Sequence, residues 1–140
     1  MILRNSLIIA APPPLVWKIL TDFSRYAEWN PFTPEVNCTG KVGDRVTLLA
    51  KLGSGQTHRS VSLQLFQWEP EEQLCWGSND WYLRVNRCQT LAALPDGRTR
   101  YTNSESFTGI LAPIVIWTQR KKLIYGYQQA AEGLKREAER

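Results

Sequence analysis

Residues 113–140, PIVIWTQRKKLIYGYQQAAEGLKREAER, decide the fold. Pro113 suits the first turn of a helix, where its missing N–H leaves no bond unmade. After it, Trp117, Ile124, Tyr127, Ala131, Leu134 and Ala138 recur at helical steps, while Gln119, Lys122, Gln129, Glu132 and Arg136 fall on the other side. The spacing predicts one helix to the C-terminus, roughly 40 Å long at 1.5 Å per residue. Gly126 and Gly133 each cost such a helix ~1 kcal/mol relative to alanine. Glycine there lets the helix bend, or lets a strand or a ligand approach; close packing is the expectation.

Upstream, the apolar residues change period. Val46, Leu48, Ala50 and Leu52 alternate with their neighbours, as do Val61, Leu63 and Leu65, and Leu74 and Trp76. Leu83, Val85 and Leu91 mark another strand, and Tyr101 to Phe107 the last. Turn residues break the run at Gly40–Asp44, Gly53–Gln56, Glu69–Glu72 and Leu94–Gly97, the spacing of a meander of hairpins. No helix separates these strands, so parallel crossovers are excluded. At the other end, residues 2–9 read as a first strand, with Leu3, Leu7 and Ile9 on one face and Arg4 and Ser6 on the other. Ala11-Pro12-Pro13-Pro14 opens a short helix whose apolar side is Leu15, Val16, Ile19 and Leu20. Thr21 and Asp22 cap a second short helical turn, which Trp29-Asn30-Pro31-Phe32 ends, because the residue before proline resists the helical region. The expected class is α+β: a curved antiparallel sheet with one face to bury, and one long helix to cover it.

Composition narrows the function. The chain has 140 residues, the size of a single domain spanning 1–140, with 43% hydrophobic and 21% charged residues. Its apolar runs, Leu7 to Ala11 and Ile114 to Trp117, are far shorter than a bilayer span, and the proline-rich start does not read as a signal peptide. A cytoplasmic protein with no integral membrane segment is expected. Cys38, Cys75 and Cys88 are far apart and His58 is the single histidine, so neither zinc nor a histidine-based nucleophile machine is expected. Buried free thiols in a reducing compartment are the expectation for the cysteines. Gly53-Ser54-Gly55 lacks the Gly-Lys-Ser/Thr of a phosphate loop and reads as a turn; no cofactor is expected. Of the net charge of +4, the last 21 residues supply +3. No basic stripe interleaved with aromatics runs through the chain, so a solvated helix face is expected there rather than a site for nucleic acid or anionic lipid. Six tryptophans in so small a chain suit either a core or the wall of a ligand cavity.

Several stretches carry a family resemblance. Ala11-Pro12 with Val16-Trp17, Leu20-Thr21-Asp22-Phe23, Tyr26 and Glu28-Trp29-Asn30-Pro31-Phe32 is similar to the opening of the SRPBCC (START-like) superfamily, and closest to its polyketide cyclase/dehydrase-like branch. Thr99-Arg100-Tyr101, Glu105, Phe107, Gly109, Leu111 and Pro113 resemble the last strand and helix entry of that branch, and Leu134-Lys135 its helix end. The resemblance implies a helix-grip fold: seven antiparallel strands gripping the C-terminal helix, with an apolar cavity between. Two positions depart from the pattern. Pro14 stands where many relatives have a charged residue, and Arg87 where they frequently have histidine. Arginine is a poor proton shuttle near neutrality, so any acid–base role of that histidine is absent here. The superfamily hosts carriers, cyclases and chaperone activators. A binding protein for a small hydrophobic or amphipathic ligand (a lipid, polyketide-like or aromatic metabolite) is the leading reading. A polyketide cyclase/dehydratase-type enzyme and a chaperone-activator-like module are the alternatives, and the oligomeric state is not legible.

The facing of the alternating and helical positions selects the expected cavity walls: Trp29, Leu48, Leu63, Leu65, Trp76, Leu83, Phe107, Trp117, Ile124 and Tyr127. Trp29 and Trp81-Tyr82 are the expected rim aromatics. Tyr101, Asn103, Glu105 and Arg87 are the polar candidates on inward-reading positions, with the bland alternative that each is a satisfied polar group under a sheet. The hairpin Leu94-Pro95-Asp96-Gly97-Arg98 refines this. Proline fits a type I turn and Gly97 the left-handed position of a three-residue loop, which pairs residue 94 with 98. That register opposes Arg87 to Glu105 on the inner face and predicts that the two meet as an ion pair.

Overall fold

A computed structural model of the chain describes residues 1–51 and 58–140. Leu52 and the turn expected at Gly53–Gln56 lie outside the described residues. The elements run β1 (Ile2–Ile9), α1 (Pro13–Thr21), a 3-10 turn (Phe23–Glu28), β2 (Glu35–Asn37), β3 (Arg45–Ala50), β4 (Arg59–Glu69), β5 (Gln73–Asn79), β6 (Arg84–Ala93), β7 (Thr99–Thr108) and α2 (Ala112–Ala138). The seven strands form one antiparallel sheet in the order β1-β7-β6-β5-β4-β3-β2. The first strand therefore closes against the last, and the meander fills the rest, as expected for a helix-grip fold. No helix among the described residues is long and apolar enough to cross a membrane.

The β6–β7 hairpin has the predicted register. Leu94 N–H donates to the Arg98 carbonyl (2.8 Å), Gly97 N–H donates to the Leu94 carbonyl (3.0 Å), and Gly97 takes φ +88°. Leu91 faces Tyr101 and Arg87 faces Glu105. On β4 the alternation is interrupted: Leu65 pairs with Trp76 but Gln67 with Cys75, so Phe66 is an extra residue in a bulge. The bulge returns Trp68 to the inner side, where its ring meets Trp17 edge-on at 5.3 Å. Asp22 occupies the cap position expected of it, yet its carboxylate accepts the Ser24 hydroxyl (2.8 Å) rather than a backbone N–H.

Two packed clusters lie between sheet and helix. The larger joins α1, the 3-10 turn and the sheet centre to Ala131, Leu134 and Ala138 of α2. The smaller gathers Leu3, Phe32 and Phe107 around Leu123, Tyr127 and Ala130. The C-terminal end of α2 is also tied to β1: Lys135 Nζ donates to the Ile8 carbonyl (2.9 Å), and Glu139 Oε2 accepts from Ala10 N–H (2.8 Å). The close approaches expected at the helix glycines are present. A Cβ on Gly133 would lie 1.9 Å from the Trp29 carbonyl oxygen, and one on Gly126 2.2 Å from the Phe32 ring.

The cysteine expectation is corrected. Cys75 and Cys88 oppose each other across β5 and β6 and are joined by a disulfide. Cys38 remains a free, half-buried thiol whose pKa burial pushes up. Register brought together two residues thirteen apart in sequence, which spacing alone does not show. The argument for a reducing compartment from three free thiols falls with it.

Candidate functional site

Between the smaller cluster and the open half of the sheet lies a cavity of about 450 Å³. Each strand from β3 to β7 contributes its inward positions: Leu48 and Ala50, Arg59, Val61 and Leu63, Trp76 and Ser78, Val85 and Arg87, Glu105 and Phe107. Leu83, just before β6, belongs to the same wall. Val115, Gln119, Leu123 and Tyr127 of α2 form the roof at four-residue steps, and Phe32 and Thr33 close the side. The wall is predominantly apolar, as small-molecule sites are.

Besides Arg59, Ser78 and Gln119, its polar lining includes a group centred on Arg87. Arg87 is buried, and its Nε donates to Asn103 Oδ1 at 2.7 Å. The guanidinium carbon lies 5.2 Å from the Tyr127 ring centroid and 5.7 Å from that of Phe32, so two aromatic faces help hold the charge. Glu105 stands opposite Arg87 in register and lines the cavity. Burial raises its pKa to about 7, against the opposing pull of Arg87. The expected ion pair is a correction: no Arg87–Glu105 contact stands among the salt bridges of the described residues, because the guanidinium turns to the Asn103 amide on the diagonal position. Glu105 is thus a carboxyl near half-protonation at neutrality, next to a cation that is held by other groups.

The remaining polar groups divide into satisfied and unsatisfied. Tyr101 donates its hydroxyl to Gln89 Oε1 at 2.7 Å, and burial raises its pKa to about 12. Tyr26, whose hydroxyl donates to the Leu20 carbonyl, is likewise pushed well up by burial. By contrast, Thr33 Oγ1 and Tyr127 Oη are buried on cavity-lining residues and have no partner among the described residues, nor has Asn103 Nδ2. An orphaned buried hydroxyl costs about 1–3 kcal/mol unless something bonds to it.

The structure sorts the sequence candidates. Leu48, Leu63, Trp76, Leu83, Arg87, Glu105, Phe107 and Tyr127 line the cavity together. Leu65 and Tyr101 sit in the larger packed cluster instead, and Asn103 lies behind Arg87 as its anchor. Trp29 was expected at the rim but is buried in the core, ring against Tyr26 at 4.7 Å and carbonyl against Gly133. Ile124 packs beside the smaller cluster without lining the cavity. Trp81 and Trp117 point to solvent, 73% and 86% exposed, and do not line the cavity. Gln119, assigned to the outer face, is on the roof. The reason is the helix phase: the first half of α2 is apolar on both sides, so periodicity could not choose which side faces inward. Phe32 and Thr33 were missed as lining residues because they follow Pro31 in irregular backbone, where no period exists to read. Val61 and Val85 were legible from the alternation that placed Leu63 and Leu83. His58, half-buried, has its Nε2 3.1 Å from the Pro31 carbonyl.

The described residues contain no group of three or more His, Cys, Asp or Glu side chains able to hold a metal. The sequence profile of polyketide cyclase / dehydrase and lipid transport proteins matches residues 2–139. Among solved structures, the fold is similar to an aromatase/cyclase, Zhui, from a Streptomyces species (15% identity, TM-score 0.75, covering 100% of this chain and 94% of that one). It is also similar to a hypothetical protein from Helicobacter pylori (16%, 0.76, 99% and 88%) and to a protein from Mesorhizobium loti (20%, 0.73, 97% and 95%). No curated protein sequence matches the chain.

Proposed function

The chain belongs to the polyketide cyclase / dehydrase and lipid transport family, and on that premise we propose that it binds a small amphipathic molecule. The apolar body of the ligand lies against Leu48, Leu63, Trp76 and Phe107, and an oxygen-bearing end meets Arg87 and the hydroxyls of Tyr127 and Thr33. The observation that supports this most is the pair of buried hydroxyls, without a partner among the described residues, on the wall of a predominantly apolar cavity. A purely hydrocarbon ligand leaves them unsatisfied; a carbonyl, carboxyl or hydroxyl group does not. A reaction on the same ligand is the second reading, favoured by Glu105. A carboxyl with a pKa of about 7 can give or take a proton at neutrality, and Arg87 is a fixed cation for a developing oxyanion.

Native mass spectrometry of the protein purified from its own source tests the binding reading by looking for retained mass. In parallel, an apolar fluorescent dye should bind and be displaced by long-chain or aromatic carboxylic acids more strongly than by the matching hydrocarbons. Arg87→Met should weaken that displacement roughly tenfold, the loss of one charge-assisted hydrogen bond. Equal affinity for acids and hydrocarbons would remove the polar-end assignment, and failure of any dye or ligand to bind would remove the binding function. Turnover of a polyketide-like substrate that Glu105→Gln abolishes, with binding retained, would promote the enzymatic reading.

A further inference from the structure

Outside the cavity, the first half of α2 carries a second, largely apolar face with no packing partner among the described residues. Ile114, Trp117, Lys121 and Tyr125 follow at three- and four-residue steps and are all exposed. Ile110 and Leu111, just before the helix, are exposed as well, Ile110 by 68%. The loop between β5 and β6 extends this face: Leu111 N–H donates to the Tyr82 carbonyl at 3.0 Å, and the Tyr82 ring meets Trp81 edge-on at 5.5 Å. Two largely bare tryptophans, two isoleucines and Tyr82 thus lie at or beside the N-terminal third of α2, with Tyr125 continuing the face to mid-helix. Scattered exposed apolar residues are ordinary, but a contiguous group of this kind marks a docking surface.

Charge selects the occupant. Segment 109–125 holds Arg120, Lys121 and Lys122 and no acidic residue, and the adjoining residues 79–83 add a single charge, Asp80. A second copy of the chain would bring two such basic faces together and be repelled. An anionic lipid surface complements both features at once. Tryptophan and tyrosine settle at the level of the headgroups, isoleucine reaches the acyl boundary, and arginine and lysine meet the phosphates.

We infer that this face of the molecule, built on Trp81, Ile110, Ile114 and Trp117 with Arg120 and Lys121, docks reversibly on anionic membrane surfaces. The placement is useful to a carrier. The same helical stretch that presents Ile114 and Trp117 outward presents Val115 and Gln119 to the cavity, and Leu83 of the cavity wall follows directly on Trp81-Tyr82. Docking therefore sets the roof of the cavity against the lipid. The inference does not depend on what the cavity holds.

The test is co-sedimentation of the full chain with vesicles of phosphatidylcholine alone and of phosphatidylcholine mixed with phosphatidylglycerol, at low and high salt. Binding is expected to the mixed vesicles and to weaken with salt. Replacing Arg120 and Lys121 together by glutamine should lower the partition coefficient roughly twenty-five-fold, about fivefold per cation. The pair Ile114→Ser and Trp117→Ser should lower it at least tenfold on vesicles of either composition that bind measurably. Circular dichroism and thermal midpoints should match the parent, since all four positions are exposed. Absence of binding to the mixed vesicles overturns the inference, as does binding that these variants leave unchanged. A dimer in sedimentation equilibrium that Trp117→Ser dissociates would also overturn it, assigning the face to a second copy.

Discussion

Around Ala130–Leu134, α2 presents alanine and glycine to the 3-10 turn and the sheet, close enough for Gly133 to touch the Trp29 backbone. Around Ile114–Leu123 the same helix stands off over a cavity of about 450 Å³ and leaves a tryptophan in solvent. Small residues let backbones approach, so the C-terminal half is packed solid and further tied to β1 by Lys135 and Glu139. Large residues at the other half hold the helix away, and the hollow is the result. The lesson is a division of labour along one helix: one half holds the fold together and the other roofs the cavity.

The two helix glycines break this comparison most directly. Gly133→Ala sets a methyl group against a backbone carbonyl that has nowhere to go, and should cost about 3 kcal/mol or more in denaturant unfolding. The nearest atoms that Gly126→Ala meets belong to the Phe32 ring, which borders the cavity and can swing into it. There the overpacking cost is offset in part by ~1 kcal/mol of helix propensity, leaving a net loss of about 1 kcal/mol and a smaller cavity, read as weaker dye binding. Equal costs at the two sites would mean that the hollow half is as rigid as the solid one.

Glu105 sharpens the contrast through pH. Its pKa rises from 4.5 to about 7 in the folded chain, so folding favours the protonated form. The stability it confers is complete below about pH 4.5 and is lost as pH rises through about 7, amounting to up to about 3 kcal/mol. Glu105→Gln should flatten that part of the stability profile and raise the unfolding midpoint at pH 8 relative to the parent. An unchanged profile would mean that Glu105 is solvated and the cavity wet at that point. The smallest effect belongs to the exposed face: Trp117→Ser should change unfolding free energy by no more than about 0.5 kcal/mol, while the same change at Trp76 would open the core.

The β-meander was legible because its rules are local. Pro95-Asp96-Gly97 dictates a turn type, the turn dictates the register, and the register carries Arg87 opposite Glu105, eighteen residues apart in sequence. Alternation then put Leu48, Leu63, Trp76 and Phe107 on the cavity side. The Phe66 bulge was not legible, since one inserted residue leaves no mark on composition and shifts everything after it to the other face.

By itself the sequence determined the order of elements, the antiparallel sheet, the long helix and the sites of its close approaches, all of which follow from periodicity, turn chemistry and glycine placement within a few residues of each other. Tertiary structure decided the rest. It chose which apolar side of α2 faces inward, sending Trp117 to solvent and Gln119 to the roof. It buried Trp29 beneath Gly133, joined Cys75 to Cys88, and gave the Arg87 guanidinium to Asn103 and two aromatic rings rather than to Glu105. Each of these outcomes depends on the distance between segments far apart in the chain, and side-chain volume and backbone approach set that distance only once all the segments are packed together.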